Sequence, residues 1–168
     1  MIHVCSLARL HRTVEETGAR HIITLLRTVD RVVRPPVVAP ANHLILGMDD
    51  IVDAIDGQTP PAQEHVSQLI EFVTKWDRAA PMVVHCYAGI SRSTAGAFVA
   101  ACALNPKREE AKIAWDIRNA SATAQPNARI VALGDQLLGR NGRMVRAVET
   151  IGLGNGGHEG DPFRLDLI

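Results

Sequence analysis

Apolar runs alternate with amphipathic segments along most of the chain. Short runs rich in Val, Ile and Leu predict strands, and apolar residues spaced three or four apart predict helices. In the segment 61–76, for example, Val66, Leu69, Ile70 and Val73 fall on one face of a helix. This alternation is typical of an α/β domain with a central, largely parallel sheet flanked by helices. The predicted strands are 3–7, 21–26, 43–48 and 82–86, and the predicted helices are 9–18, 61–76, 93–104, 108–120, 128–139 and 142–152.

The pattern predicts one domain, residues 1–152, which is followed by a glycine-rich segment. Residues 153–168 contain LGNGGHEGDP and show no helical or strand period, so we expect a mobile C-terminal tail. Acidic residues follow the third strand, and this stretch ends at Pro60 and Pro61, where the helix 61–76 begins. They predict a loop at that position.

Composition narrows the class of protein. The chain has 168 residues, of which 46% are hydrophobic, and its 18 basic and 18 acidic residues cancel. This balance argues against nucleic acid or a charged membrane surface as a partner, and no apolar stretch approaches the ~20 residues of a membrane span. The N-terminus shows no export signal, and the three scattered cysteines suit neither a disulfide framework nor a metal site. We therefore expect a cytoplasmic protein without a metal or other cofactor.

The segment VVHCYAGISRST, residues 83–94, places Cys86 at the end of a strand and Arg92 at the start of a helix. Ligands bind at the carboxyl edge of open α/β sheets, and a loop that enters a helix N-terminus presents backbone N–H groups to an anion. Gly89 permits the close turn that such a loop needs. The amides and the Arg92 guanidinium favour the thiolate of Cys86, which is then placed to attack a bound phosphoryl group.

The neighbours of Cys86 receive supporting roles. Ser93 would donate to the sulfur when the thiolate leaves, and His85 would orient the loop or tune the thiol. The remaining loop positions supply backbone amides to the substrate, and they are Tyr87, Ala88, Gly89, Ile90 and Ser91.

This segment resembles the HCxxGxxR[ST] signature loop of the cysteine-based protein tyrosine phosphatases, in their compact dual-specificity-like branch. The matching residues are His85, Cys86, Gly89, Arg92 and Ser93. The resemblance implies an α/β phosphatase fold and hydrolysis through a phosphocysteine. Downstream, Pro126 and Asn127 partly match a helix start of the same branch, and we expect Asn127 to cap the helix 128–139.

The reaction also needs a carboxylic acid that protonates the leaving oxygen and later activates water. The family has a pattern similar to Y-x-x-I-P-x-x-D, which on HLILGMDD places His43 at the Tyr, Leu46 at the Ile and the acid at Asp50. Asp49 remains the alternative, since both aspartates stand just past the end of the strand. The candidates in this segment are Asp49, Asp50, Asp53 and Asp56.

The resemblance implies phosphotyrosine on proteins as substrate, with phosphoserine and phosphothreonine as further substrates. The variable loop positions carry no charge, which disfavours a highly anionic inositol lipid. The alternatives are a phosphatase of another phosphomonoester, such as a phosphoinositide, RNA end or nucleotide, and a rhodanese-like sulfurtransferase. A protective disulfide between Cys86 and Cys102 also stays open at this point.

Overall fold

The computed structural model describes residues 1–167 and confirms the α/β prediction. Five strands form one sheet in the order β3-β2-β4-β1-β5. The first four strands are parallel, and β5 is antiparallel to its neighbour β1 at the edge of the sheet. The strands are β1 Ile2–Ser6, β2 His21–Leu26, β3 His43–Gly47, β4 Met82–Cys86 and β5 Phe163–Leu165.

All six predicted helices are present, with ends that differ by at most two residues from the sequence prediction. The longest are α2 and α3, and eleven consecutive residues of α3 are buried, from Arg92 to Cys102. Small residues let α3 lie close to the sheet on one side and to other helices on the opposite side, which confirms that it is an interior helix. The helices are α1 Leu10–Thr17, α2 Gln63–Lys75, α3 Arg92–Leu104, α4 Glu110–Ala120, α5 Ala128–Leu137 and α6 Arg143–Ile151.

The two faces of the sheet bury separate apolar clusters. On one face, α1 covers β1 and β4 with Leu10 and Val14, against Val83 of β4. On the other face, a larger cluster includes Val84 and Cys86 of β4 and Phe98 of α3. Successive residues of a strand point to opposite faces, so this division is the expected one. It places Cys86 on the face that α3 covers.

The C-terminal segment differs from its prediction as a mobile tail. Residues Phe163–Leu165 form β5, which pairs with Ile2–Val4 of β1. Phe163 and Leu165 are both buried on the larger cluster, while Arg164 between them is exposed. A strand of three residues is too short to show an alternating pattern against a glycine-rich background. The tail prediction is therefore wrong for these residues.

Among the described helices, none has both the length and the apolar character that crossing a bilayer requires.

Candidate active site

The side chain of Cys86 lies at the carboxyl end of β4, a central strand, and is only 2% exposed. The Gly89 N–H donates to Cys86 Sγ at 3.3 Å, and Ser93 Oγ lies 3.1 Å from the same sulfur. Ser93 belongs to the first turn of α3. Two hydrogen-bonding groups therefore face the sulfur, and both can donate to it when it is a thiolate.

The loop between β4 and α3 is held with its carbonyl groups turned outward. In a planar trans peptide the N–H of one residue points opposite to the C=O of the residue before it. Outward carbonyls consequently turn the next amides inward, towards the space above Cys86. The outward bonds run from Leu7 N to Tyr87 O (3.2 Å), from Gly160 N to Ala88 O (2.8 Å), from Gln125 N to Ile90 O (2.9 Å) and from Asn127 N to Ser91 O (3.2 Å).

Gly89 occupies a position that no other residue can take. Its φ angle is +73°, in the left-handed region. A Cβ atom at this position would come within 2.8 Å of the backbone carbon of Cys5 and of the backbone nitrogen of Ser6. The loop thus contacts the end of β1 so closely that a side chain is excluded.

Arg92 is the first residue of α3 and is 8% exposed. Its Nη1 donates to the carbonyl oxygen of Met48 at 2.8 Å, which fixes the guanidinium beside the loop that follows β3. Its Nε is buried and has no hydrogen-bond partner among residues 1–167. An unpaired buried donor on a charged group costs about 1–3 kcal/mol or more. A bound oxyanion would supply the missing acceptor.

Asp50 lies in the loop after β3 and contacts the Cys86 loop. Its Oδ1 accepts hydrogen bonds from Ser91 Oγ at 2.8 Å and from Asn127 Nδ2 at 2.9 Å. Ser91 belongs to the Cys86 loop, so the Asp50 carboxylate lies at the rim of that loop. Asp50 is exposed, as a group that exchanges protons with a substrate and with water must be.

Asp49 is turned away from the site and stabilises its own loop. Its Oδ2 accepts from the Thr59 N–H at 2.7 Å, and its own N–H donates to Thr59 O at 2.7 Å. The exposed Arg27 lies 3.4 Å from its Oδ1. Asp53 and Asp56 are exposed further along the loop. Of the four predicted candidates, the structure brings Asp50 to the Cys86 loop.

A buried polar chain lies behind Cys86. The His85 side chain is fully buried, and its Nε2 is 2.7 Å from Thr24 Oγ1. The same hydroxyl is 2.8 Å from His43 Nε2. Burial lowers the pKa of His85 to about 4 and the pKa of His43 to about 4. At neutral pH His85 is thus uncharged, and its contribution to the site is to hold the end of β4 in place.

This buried pair predicts that acid destabilises the fold. The folded-state pKa values lie below the ordinary value of 6.5, so the unfolded chain binds more protons as the pH falls. The free energy of unfolding is expected to fall steadily between pH 6.5 and about 4. Urea unfolding at several pH values would measure it. His43→Gln should flatten this slope, whereas His158→Gln, at an exposed position, should not. Equal slopes in all three proteins would contradict the assignment.

Known proteins share both the loop and the fold. A family model described as protein-tyrosine phosphatase matches residues 55–127, a range that includes the whole Cys86–Arg92 loop. The solved structures of similar fold include DUSP15, with 15% identity, a TM-score of 0.65 and coverage of 94% of each chain. Human DUSP28 has 19% identity and a TM-score of 0.64 over 83% of this chain and 89% of its own. PTPMT1 in complex with PI(5)P has 13% identity and a TM-score of 0.59 over 90% and 92%.

Over residues 55–127 the chain therefore resembles the cysteine-based protein tyrosine phosphatases. No curated protein sequence matches the chain significantly. Its fold is that of the compact dual-specificity phosphatases.

Asn127 takes a larger part in this candidate site than its predicted role as a helix cap. Its Oδ1 does cap α5, since it accepts from the backbone N–H groups of Arg129 and Ile130 at 3.0 Å each. Its Nδ2 also donates to Asp50 Oδ1 and to Ile51 O. The sequence carries no signal for these contacts, because they join residues 76 and 77 positions apart.

The sequence analysis did not identify Arg129, which ties the loop that contains Asp50 to α5. Its Nε donates to Pro61 O at 2.6 Å, and its Nη1 donates to Val52 O at 3.1 Å. The Asp50 loop is therefore anchored at both of its ends, by Asn127 and Arg129 on one helix. A signal for Arg129 would have required knowledge of which loop lies beside α5.

The variable positions of the phosphatase signature loop face different surroundings. Ile90 and Ser91 line a cavity of about 230 Å³ together with Asp50. Tyr87 is 63% exposed and lines another cavity, of about 500 Å³, with Leu7 and Glu159. Ile90 is thus the apolar loop side chain that lies beside Asp50, and Tyr87 lies beside the C-terminal segment.

Cys102 is unsuited to protect the Cys86 thiol as a disulfide partner. Cys86 contacts Ser93 at the start of α3, and Cys102 lies nine residues further along that helix, about 14 Å at the α-helical rise. A disulfide requires Cα atoms within about 7 Å. Burial also raises the pKa of Cys102 to about 12, which keeps its thiol protonated.

Proposed function

We propose that this protein hydrolyses phosphate monoesters through a phosphocysteine and that its substrate is phosphotyrosine on proteins. The observation that carries the proposal is the pairing of two groups. Gly89 N–H and Ser93 Oγ contact Cys86 Sγ, and the buried Arg92 Nε has no partner in the described part of the chain. A nucleophile and an oxyanion site therefore adjoin each other, with the Asp50 carboxyl group at their rim.

In the first step the thiolate of Cys86 attacks phosphorus in line with the leaving oxygen. The P–S bond forms while the P–O bond breaks, and Asp50 gives its proton to the departing oxygen. The inward amides of the loop and the Arg92 guanidinium stabilise the charge on the three equatorial oxygens. The products are the free hydroxyl compound and a phosphocysteine.

In the second step water attacks the phosphocysteine. Asp50, now a carboxylate, takes the proton from the water, and the P–S bond breaks as the new P–O bond forms. The sulfur leaves as a thiolate, towards which the Ser93 hydroxyl donates. Inorganic phosphate is released and Cys86 returns to its starting state. Every step uses a group of this chain, and we propose no metal or other cofactor.

The lining of the loop supports a protein-bound monoester as the substrate. Backbone amides and Arg92 suffice for one phosphoryl group, and Ile90 offers an apolar contact beside Asp50 for an aromatic ring. A headgroup with several phosphates would gain from additional cations in the loop. The variable positions are uncharged, and they are Tyr87, Ala88, Ile90 and Ser91.

A phosphoinositide is the second candidate substrate, because one protein of similar fold is PTPMT1 in complex with PI(5)P. Wild-type protein should therefore be assayed on a phosphotyrosine peptide, on matched phosphoserine and phosphothreonine peptides and on dispersed PI(5)P, all in the presence of EDTA. We expect the highest kcat/KM on the phosphotyrosine peptide. Vanadate should inhibit every activity.

Three other results would revise the proposal. A higher kcat/KM on PI(5)P than on every peptide would assign the enzyme to lipid substrates. Sulfur transfer from thiosulfate to cyanide, without release of phosphate from any substrate, would make the protein a rhodanese-like sulfurtransferase. Loss of phosphatase activity in EDTA would contradict a metal-independent mechanism.

A further inference from the structure

The glycine-rich segment between α6 and β5, residues 153–162, runs along the outside of the signature loop. We call this segment the C-terminal strap. Its Asn155 N–H donates to Ala122 O at 2.9 Å, and its Gly160 N–H donates to Ala88 O at 2.8 Å. The Glu159 carboxylate accepts a hydrogen bond of 2.5 Å from Ser6 Oγ at the end of β1. The strap is thus attached to both the loop and the strand beside it.

Gly160 lies against the signature loop without room for a side chain. It is buried, and a Cβ atom there would stand 2.9 Å from the backbone oxygen of Gly89 and 3.4 Å from Ile90 Cγ1. Gly156 in the same strap is different, because a Cβ atom at that position meets nothing within 4 Å. Position 160 therefore requires glycine because a side chain would collide with the signature loop, and not only because glycine is flexible.

The contact from Gly160 reaches the nucleophile through a single peptide group. Ala88 C=O and Gly89 N–H belong to the same planar peptide unit and point in opposite directions. The carbonyl end accepts from Gly160 N–H at 2.8 Å, and the amide end donates to Cys86 Sγ at 3.3 Å. Fixing one end of the unit fixes the direction of the other.

We propose that Gly160 is a positioning residue for the phosphatase reaction: by binding Ala88 O, it holds the Gly89 amide towards the Cys86 sulfur and the bound oxyanion. The C-terminal strap is thereby part of the architecture of the oxyanion site. This inference rests on the proposed function, since the amide it positions is one of the donors to the phosphoryl group. The close approach to Gly89 accounts for the glycine at position 160 of the strap.

Gly160→Ala tests the inference, with Gly156→Ala as the matched control. The methyl group at position 160 would displace the Ala88–Gly89 peptide and misdirect one donor to a charged ligand, which is worth about tenfold in affinity. We expect tungstate to bind Gly160→Ala about tenfold more weakly in isothermal titration calorimetry. Turnover of para-nitrophenyl phosphate should fall in kcat by a similar factor. Gly156→Ala should match the wild type in both measurements.

The tungstate dissociation constant separates positioning from stability when it is measured well below the melting temperature of each variant, where nearly all of the protein is folded. An unchanged dissociation constant in Gly160→Ala would overturn the inference, whatever happens to its melting temperature. Calorimetry also separates this inference from the proposed function. Wild-type protein that binds tungstate without turning over phosphate esters would contradict the function alone, and wild-type protein that binds no tungstate would contradict both.

A second pair of variants covers the case in which Gly160→Ala does not fold. Glu159 is exposed, so Glu159→Ala should fold while it removes the acceptor of the Ser6 hydroxyl that fastens the strap to β1. We expect weaker tungstate binding in Glu159→Ala and recovery in Glu159→Gln, whose side-chain oxygen still accepts the hydrogen bond. Wild-type affinity in Glu159→Ala would show that the strap does not position the loop.

Discussion

Replacing Cys86 with serine is expected to lower kcat on any phosphate monoester by about 10⁴-fold or more. The hydroxyl oxygen of serine is not ionised at neutral pH. Within residues 1–167, the groups that contact Cys86 Sγ are Gly89 N–H and Ser93 Oγ, and neither is a base that could activate a hydroxyl group. The substitution is nearly isosteric in a site that is 2% exposed, so the fold and the oxyanion site should survive. Steady-state turnover of para-nitrophenyl phosphate measures the loss, and calorimetry should show that tungstate still binds.

Cys102→Ser provides the matched control for this variant. It makes the same chemical change at another buried cysteine of the same cluster, away from the signature loop. We expect Cys102→Ser to keep its turnover per folded molecule, with a lower melting temperature. Substantial turnover in Cys86→Ser would remove Cys86 from the role of nucleophile. Loss of activity in both variants would indicate that the substitutions disrupt the packing of the larger apolar cluster, and not that the nucleophile has been removed.

The parts of the fold that sequence predicted correctly are those that local pattern determines. Four parallel strands and six helices follow from runs and periods of apolar residues, and their observed bounds are close to the predicted ones. The signature loop was also recognisable, because its residues are contiguous from His85 to Ser93. Gly89 is an example: its positive φ and its close contact with β1 both require glycine, and the sequence shows a glycine at that position.

The parts that sequence missed depend on contacts between distant segments. β5 has three residues, and its partner β1 lies at the other end of the chain. The composition of the C-terminal strap predicts a flexible tail, whereas Gly160 is buried against the signature loop in the structure. Asn127 and Arg129 are ordinary helix-start residues until the structure places the Asp50 loop beside them.

The choice between Asp49 and Asp50 shows the same limit at a single position. Both residues follow the end of β3, and a pattern of apolar and polar residues cannot tell which carboxylate faces the signature loop. The structure separates them by their partners. Thr59 and Arg27 hold Asp49, whereas Ser91 and Asn127 hold Asp50. These partners lie between 10 and 77 residues away, so no local rule could have assigned them.

Asp50→Asn is expected to lower kcat by about 10²–10³-fold on phosphate esters whose leaving oxygen is strongly basic, such as phenyl phosphate. An amide cannot supply the proton that such an oxygen needs as the P–O bond breaks. The loss should be much smaller on para-nitrophenyl phosphate, whose leaving group departs without a proton. A series of aryl phosphates measures this effect as a steeper dependence of log kcat on leaving-group basicity. The amide oxygen of the variant can still accept from Ser91 and Asn127, so the loop should stay in place.

Asp49→Asn is the matched control, because it makes the same change at the adjacent residue. Its side-chain oxygen can still accept from Thr59 N–H, while its ion pair with the exposed Arg27 is lost. Arg27 is exposed whereas Asp49 is buried, so the loss of this partly solvated ion pair should cost about 1 kcal/mol of stability. Asp49→Asn should also show the wild-type dependence on the leaving group. The opposite result, a steep dependence in Asp49→Asn and a wild-type dependence in Asp50→Asn, would transfer the role of general acid to Asp49. It would also require the Asp50 loop to rearrange when substrate binds, because the Asp49 carboxylate faces Thr59 and Arg27 in this structure.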